Sequence, residues 1–254
     1  MNPRYEDKVV LVTGGTSGIG RETALAFAKE GASVVITGRR AGLGAEVVAE
    51  IEQLDSGRGH FLQADVTKPE DIERMVSETV SKFGRLDVAF NNAGLEGDIV
   101  PVTEQSLENY ERVFSANVLG VLLSMKYEIP AMLETNGGSI INNASIAGLI
   151  GMPGLSVYAA SKHAVIGMTK SASLEWGKEG VRINAVAPAA IETDMFERFT
   201  GGDDNAKAQF AEYHPIGRVG KPEEIASAVL WLGSDEASFM VGHTLTVDGG
   251  FTAQ

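Results

Sequence analysis

Tyr158 and Lys162, two side chains suited to proton chemistry, stand four residues apart in the stretch VYAASK. On a helix, residues i and i+4 share one face. A phenol is a poor base near neutral pH, because its reference pKa is about 10. One positive charge about 4 Å away stabilises the phenolate by roughly 4 kcal/mol at an effective dielectric of about 20. That equals about three pKa units before the opposing cost of burial. A phenol with an ammonium one turn along is therefore a group that can move a proton on or off an oxygen. The residues between them, Ala159, Ala160 and Ser161, are small enough to let such a helix approach another surface closely.

A second chemical feature is TGGTSGIG, residues 13–20, with Gly14, Gly18 and Gly20 spaced G-x-x-x-G-x-G. It lies between a β-branched run and a helical stretch. Glycines there let the backbone approach a pyrophosphate at the positive end of a helix dipole. At the end of the next strand, a dinucleotide-binding unit distinguishes riboses: an acid bonds the 2′-hydroxyl, an arginine accommodates a 2′-phosphate. Here VVITGRR puts Gly38 where the acid would stand, followed by Arg39 and Arg40. A guanidinium binds phosphate bidentately. NADP(H) is thus the expected cofactor, with Arg39 as main partner and Arg40 in support, and NAD(H) is the alternative.

The elements that must position these groups alternate. Strand signals fall at 8–13, 33–37, 59–64, 85–90, 138–145, 181–187 and 243–249. Helical patterns lie between most of them: after the glycine turn to Glu30, then 41–54, 68–84, about 106–134, about 156–178 and about 222–233. Near-continuous apolar strands alternating with helices imply a parallel sheet covered on both faces. No linker, low-complexity tract or repeat divides the chain, so one domain over 1–254 is expected. Residues 191–217 interrupt the alternation with Gly201-Gly202 and acidic residues. Long interruptions of this kind often form lids, and a substrate lid is expected here.

Composition narrows the partners. Lys and Arg total 21 against 34 Asp and Glu, a net charge of −13. That argues against nucleic acid or anionic membrane as partner, since both require a positive surface. With no cysteine, disulfides and thiolate metal sites are excluded. The histidines, His60, His163, His214 and His243, are scattered, and no metal is expected. The polar opening residues lead straight into a strand, so no secretory leader is expected. No apolar run reaches the ~18 residues of a membrane helix. A cytoplasmic location is the expectation.

Six motifs occur in a fixed order: T-G-x-x-x-G-I-G at 13–20, Asp65-Val66 after the third strand, NNAG at 91–94, Asn117 in the long helix, Ser145 after the fifth strand, and Y-x-x-x-K as Tyr158 and Lys162. Each is weak alone. Together, each at an element boundary, they are specific, and over essentially its whole length the chain resembles the short-chain dehydrogenase/reductase family in its short single-domain form. The resemblance implies a Rossmann-like α/β fold: doubly wound, a seven-stranded parallel sheet with helices on both faces. It implies hydride transfer between NADP(H) and a small ketone or secondary alcohol.

Asn117, Ser145, Tyr158 and Lys162 would be the catalytic tetrad. Tyr158 would be the acid/base, Ser145 would orient the substrate oxygen, and Lys162 would lower the Tyr158 pKa and bind the nicotinamide ribose. Asn117 would hold a water in a proton relay. Gly14, Thr16, Ser17, Gly18, Ile19 and Gly20 would form the phosphate turn, and Asp65 and Val66 would contact adenine. Asn91, Ala93 and Gly94 would flank the middle of the cofactor, with Pro188, Ile191 and Thr193 on its nicotinamide side. The family usually reads Pro-Gly where this chain has Pro188-Ala189, and alanine is costly if that position needs a positive φ. A homotetramer is also implied, with the helices at 106–134 and 156–178 and the last strand with its tail as contact surfaces.

The substrate side is less specified. Glu96, Ile146, Ala147, Met152, Pro153 and Leu155 are candidates, with Met195, Phe196 and Phe199 of the lid. Their apolar character suits a cyclic or aryl-substituted ketone; a sugar, a 3-oxoacyl thioester and a steroid are alternatives within the family. An enoyl reductase is expected to change the Tyr–Lys spacing, an epimerase to carry a second domain, and a non-catalytic nucleotide sensor to lose part of the tetrad. None of these departures is present.

Overall fold

The computed structural model describes residues 4–54 and 58–253, so the bounds 1 and 254 of the expected domain lie outside the described residues. The apolar runs become β1 (Val9–Thr13), β2 (Ser33–Gly38), β3 (Arg58–Gln63), β4 (Val88–Asn91), β5 (Gly138–Asn143), β6 (Val181–Pro188) and β7 (Thr244–Val247). They form one seven-stranded sheet in the order β3-β2-β1-β4-β5-β6-β7. Every pairing is parallel. The helices are α1 (Gly18–Lys29), α2 (Ala41–Glu52), α3 (Pro69–Phe83), α4 (Leu107–Phe114), α5 (Gly120–Leu133), α6 (Ser156–Trp176), α7 (Asp194–Thr200), α8 (Asp204–Glu212) and α9 (Pro222–Gly233).

Successive side chains of a strand point to opposite faces. Val10, Val12, Val34, Ile36 and Phe90 pack on one face with α1, α2 and α9. Leu11, Val35, Ala89, Ile140 and Ile183 pack on the other with α3, α5 and α6. Burial on both faces explains why these strands read as apolar throughout. Each fully buried Val, Leu or Ile stabilises the fold by about 1.5–3 kcal/mol relative to exposure. The sheet is the expected doubly wound Rossmann-like one. Its strand order reverses between β1 and β4, and the crevice at the carboxyl ends there is where such sheets bind ligands.

Three local features differ from the sequence reading. β4 begins at Val88 rather than Arg85, and Arg85, before the strand, folds its guanidinium onto Asp87. The long helix is interrupted: α4 passes through a π turn at Ser115–Leu119 before α5, a distortion often found at functional sites. The interruption at 191–217 contains two short helices, α7 and α8, separated at Gly201, whose φ is +62°. No helix among the described residues is long and apolar enough to cross a membrane.

Candidate active site

A cleft of about 1250 Å³ is lined by residues at the carboxyl ends of β1, β4, β5 and β6 and by the segment that holds α7 and α8. At one end lies the glycine turn. Gly14 and Gly18 adopt φ of +65° and +54°, a region that side chains with a Cβ rarely enter. A Cβ on Gly20 would lie 2.3 Å from the Gly14 carbonyl oxygen, so α1 can pack against the turn only with glycine there. Ser17, at the N-cap of α1, makes no capping bond, and the first turn carries no acid. The free N–H groups of that turn therefore remain for an anion, and the turn fits the phosphates of a dinucleotide.

Arg40 donates to Ser17 Oγ at 2.7 Å and to Thr16 Oγ1 at 3.3 Å. Arg39, expected as the main phosphate partner, is exposed, as is Arg40, and the Arg39 carbonyl accepts from Gln63 Nε2. Both arginines line the cleft, but Arg40 is the one turned over the glycine turn. A Cβ on Gly38 would lie 2.8 Å from Thr16 Cγ2, so an acid there would displace Thr16. Asp65 and Val66 line the cleft too; one Asp65 oxygen accepts from the Thr67 amide and hydroxyl.

The proton-active residues meet near the opposite end. Tyr158 and Lys162 lie on α6, and the ammonium is 5.7 Å from the phenol ring centroid. Lys162 Nζ donates to the Asn143 carbonyl at 2.7 Å. Ser145 stands just past β5, where its Oγ accepts from the Ala147 amide at 3.2 Å and faces the Pro188 carbonyl at 3.5 Å. Burial pushes the Tyr158 phenol up to about 12, with a Ser145 hydrogen bond opposing and the Glu96 charge adding to the rise. Burial pushes Lys162 down to about 8. Desolvation is the largest influence on the Tyr158 phenol, and the Lys162 ammonium is directed at a carbonyl.

Several expected site residues lie behind the cleft rather than on it. Asn117 sits in the π turn, 1 % exposed. Its amide clamps the Leu95 backbone, accepting from its N–H and donating to its carbonyl, each at 2.9 Å, and also donates to Ser161 Oγ. Both amide hydrogens are therefore engaged, and the side-chain oxygen accepts one bond, from Leu95. Asn91, expected beside the cofactor, points into the core toward Glu128 and Asn142. Gly20, Ala147 and Pro153 are also absent from the lining, whereas Ala93 and Gly94 remain on it. Ala189 is not strained: among the described residues, the non-glycine residues with positive φ are Asp7 and Asn136.

On the substrate side, Glu96, Ile146, Met152, Leu155, Met195, Phe196 and Phe199 line the cleft as expected, and Pro188, Ile191 and Thr193 lie nearby. The sequence reading missed three residues. Arg198 on α7 grips Glu96 through Nε at 2.9 Å and Nη2 at 3.2 Å. Phe210 on α8 meets both Phe196 and Phe199 edge-to-face. Phe251, in the tail expected to contact another subunit, packs on His214 of its own chain and lines the cleft. Arg198 lies 102 residues from its partner, and no periodic pattern signals a contact across that distance.

The chain's likenesses to known proteins agree with this geometry. A family model described as enoyl-(acyl carrier protein) reductase matches residues 14–252. Cyclohexanol dehydrogenase of Acinetobacter sp. (strain SE19) is 44 % identical, over 100 % of this chain and 98 % of its own. The solved structure of levodione reductase superposes with a TM-score of 0.95 at 38 % identity, covering 98 % of this chain and 99 % of that one. That of ElxO with NADP bound gives 0.90 at 35 %, covering 97 % and 99 %. The parallel sheet, the glycine turn at its crevice, the Tyr158–Lys162 pair and these full-length likenesses converge: the chain belongs to the short-chain dehydrogenase/reductase family of NAD(P)-dependent oxidoreductases.

Proposed function

We propose that the protein interconverts an apolar cyclic ketone and its secondary alcohol with NADP(H). The observation that carries this reading is one cleft, lined by both Ser145 and the glycine turn, in which the half-buried Tyr158 phenol lies near the buried Lys162 ammonium. A bound nicotinamide supplies or accepts the hydride. Tyr158, held as a phenol, donates its proton to the carbonyl oxygen during reduction and recovers one during oxidation. Ser145 Oγ accepts from Ala147, and its rotatable hydroxyl, which otherwise donates a long 3.5 Å bond to the Pro188 carbonyl, can turn to the substrate oxygen. Lys162 has one donor on Asn143 and two left for the ribose hydroxyls. Asn117 is a positioning residue that fixes the Leu95 segment beside Gly94.

The 2′-phosphate preference rests on Arg40, which already overlies the turn, and on the missing acid at Gly38. The likeness to an NADP-bound structure supports it. The substrate class rests on the apolar wall of Met152, Leu155, Phe196, Phe199, Phe210 and Phe251. Relatives named for cyclohexanol and levodione support it. In this reading the segment 191–217 is the lid, the chain is one domain, and it works in the cytoplasm, where its coenzyme is recycled.

The test is a panel of cyclic and acyclic ketones with NADPH and with NADH, followed by nicotinamide absorbance. Cyclohexanone-type turnover with NADPH is expected, and Arg40→Ala should erase most of the preference over NADH. Turnover much faster with NADH would overturn the cofactor assignment.

A further inference from the structure

Beneath the cleft floor lies a carboxyl group that the reaction does not use. Glu128 on α5 is 0 % exposed. Its Oε2 accepts from Asn91 Nδ2 at 3.0 Å, and the same nitrogen donates to Asn142 Oδ1 at 3.0 Å. Asn142 Nδ2 in turn donates to Thr169 Oγ1 at 2.9 Å, and that hydroxyl donates to the Val165 carbonyl at 2.8 Å. The direction of the chain is set from this end. Because the Thr169 hydrogen goes to a carbonyl, Thr169 accepts from Asn142. The Asn142 oxygen must then accept from Asn91, and both Asn91 hydrogens are engaged. Two buried oxygens remain without a partner, Asn91 Oδ1 and Glu128 Oε1. They belong to the two groups that already share one hydrogen bond.

Among the described residues, no ion pair joins Glu128 to a cation, and the carboxyl accepts its hydrogen bond from Asn91. Glu73 on α3 takes the Tyr127 hydroxyl, and Asp87 before β4 is paired with Lys8 and Arg85. Lys162 on α6 goes to Asn143, and Arg182 on β6 to the carbonyls of Leu232, Ser234 and Ala237. The influences on the Glu128 carboxyl are burial, which pushes it up to about 7, and the opposing Asn91 hydrogen bond. An ionised carboxylate here would be a buried charge with one neutral donor, which is costly. A proton on Oε1 would supply the donor that both orphaned oxygens lack, since an acid and an amide placed edge to edge exchange N–H···O and O–H···O bonds.

We propose that Glu128 is carried as a neutral carboxylic acid closed in a two-bond ring with the Asn91 amide, and that this ring is a positioning element for the cofactor cleft. Asn91 ends β4 and leads through Asn92 to Ala93 and Gly94 on the cleft. Asn142 immediately precedes Asn143, whose carbonyl anchors Lys162. Losing the proton would break one ring bond and place a charge under both supports. The proposal rests on the assignment of this cleft to NADP(H), and its test separates the two.

Infrared spectra of the protein carrying NADPH, recorded from pH 5 to 9, should show a protonated-carboxyl carbonyl band that fades as pH rises and is missing in Glu128→Gln. NADPH dissociation constants, measured by fluorescence over the same range, form the second arm. Glutamine preserves the ring as an amide pair, so Glu128→Gln should bind within about twofold of wild type at pH 6. The wild type should weaken at least fivefold more than this variant by pH 9. The 2′-phosphate titrates alike in both proteins, so their difference is the readout. Glu128→Leu, which removes the ring, should bind poorly at every pH. No difference band, or superimposable pH profiles for wild type and Glu128→Gln, would overturn the proposal. Absence of ketone turnover with both NADPH arms intact would instead count against the proposed reaction alone.

Discussion

At the residue scale, the phenol is set by its surroundings more than by its helical neighbour. Tyr158 is pushed up to about 12 by burial, so it holds its proton throughout the working range, the form ketone reduction needs. Tyr158→Phe removes that donor and should lower kcat by about 10²–10⁴-fold, while the NADPH dissociation constant stays within about threefold. Steady-state kinetics and a fluorescence titration check both, and near-normal turnover would refute the role. Lys162 gives a separate signature. Its pKa near 8 means the ammonium form is lost as pH rises through that value. For the reduction, kcat/KM reports groups of the free enzyme and should therefore fall with an apparent pKa near 8. A flat profile from pH 6 to 9 would show that the charge is not needed.

At the element scale, the segment with α7 and α8 is tied to the loop after β4 by the Arg198–Glu96 pair. Arg198 is half exposed, so the pair contributes only about 0.2–1 kcal/mol to stability. Its larger effect is on closure: Arg198→Ala should raise KM for the ketone several-fold and hasten proteolysis within 194–212, with little change in melting temperature. Equal KM and equal proteolysis would remove the latch role. α5 offers a stability test. Glu128 is raised from the ordinary carboxyl value to about 7, so the folded state holds a proton that the unfolded state releases. Its contribution is therefore complete below about pH 4.5 and is lost as pH rises to 7. Over that window the stability gained by Glu128→Gln relative to wild type should grow by an amount on the order of 3 kcal/mol, read from denaturant midpoints.

At the scale of the whole molecule, apolar side chains remain on the outside. Leu107, Tyr110, Leu119 and Leu122 on α4, the π turn and α5 are exposed, as are Leu174, Phe239 and Val241 near β7. These are the surfaces expected to bury in a homotetramer. Sedimentation should give about four times the 26.9 kDa chain mass, and Leu122→Glu should shift it downward. A wild-type mass equal to one chain would exclude the expected tetramer.

What was legible in the sequence was local. Near-continuous apolar runs announced strands buried on both faces, and glycines at 14 and 18 announced a turn only they adopt without strain. The four-residue interval placed Tyr158 and Lys162 on one helix face. Each follows from backbone geometry over a few residues. Tertiary structure alone decided that Arg40 rather than Arg39 overlies the turn, that Asn117 and Asn91 stand behind the cleft, and that Phe251 returns to its own lid. It also decided the direction of the Tyr158 shift. Desolvation and hydrogen-bond partners depend on what packs around a group from distant parts of the chain, and no interval along the sequence encodes that distance.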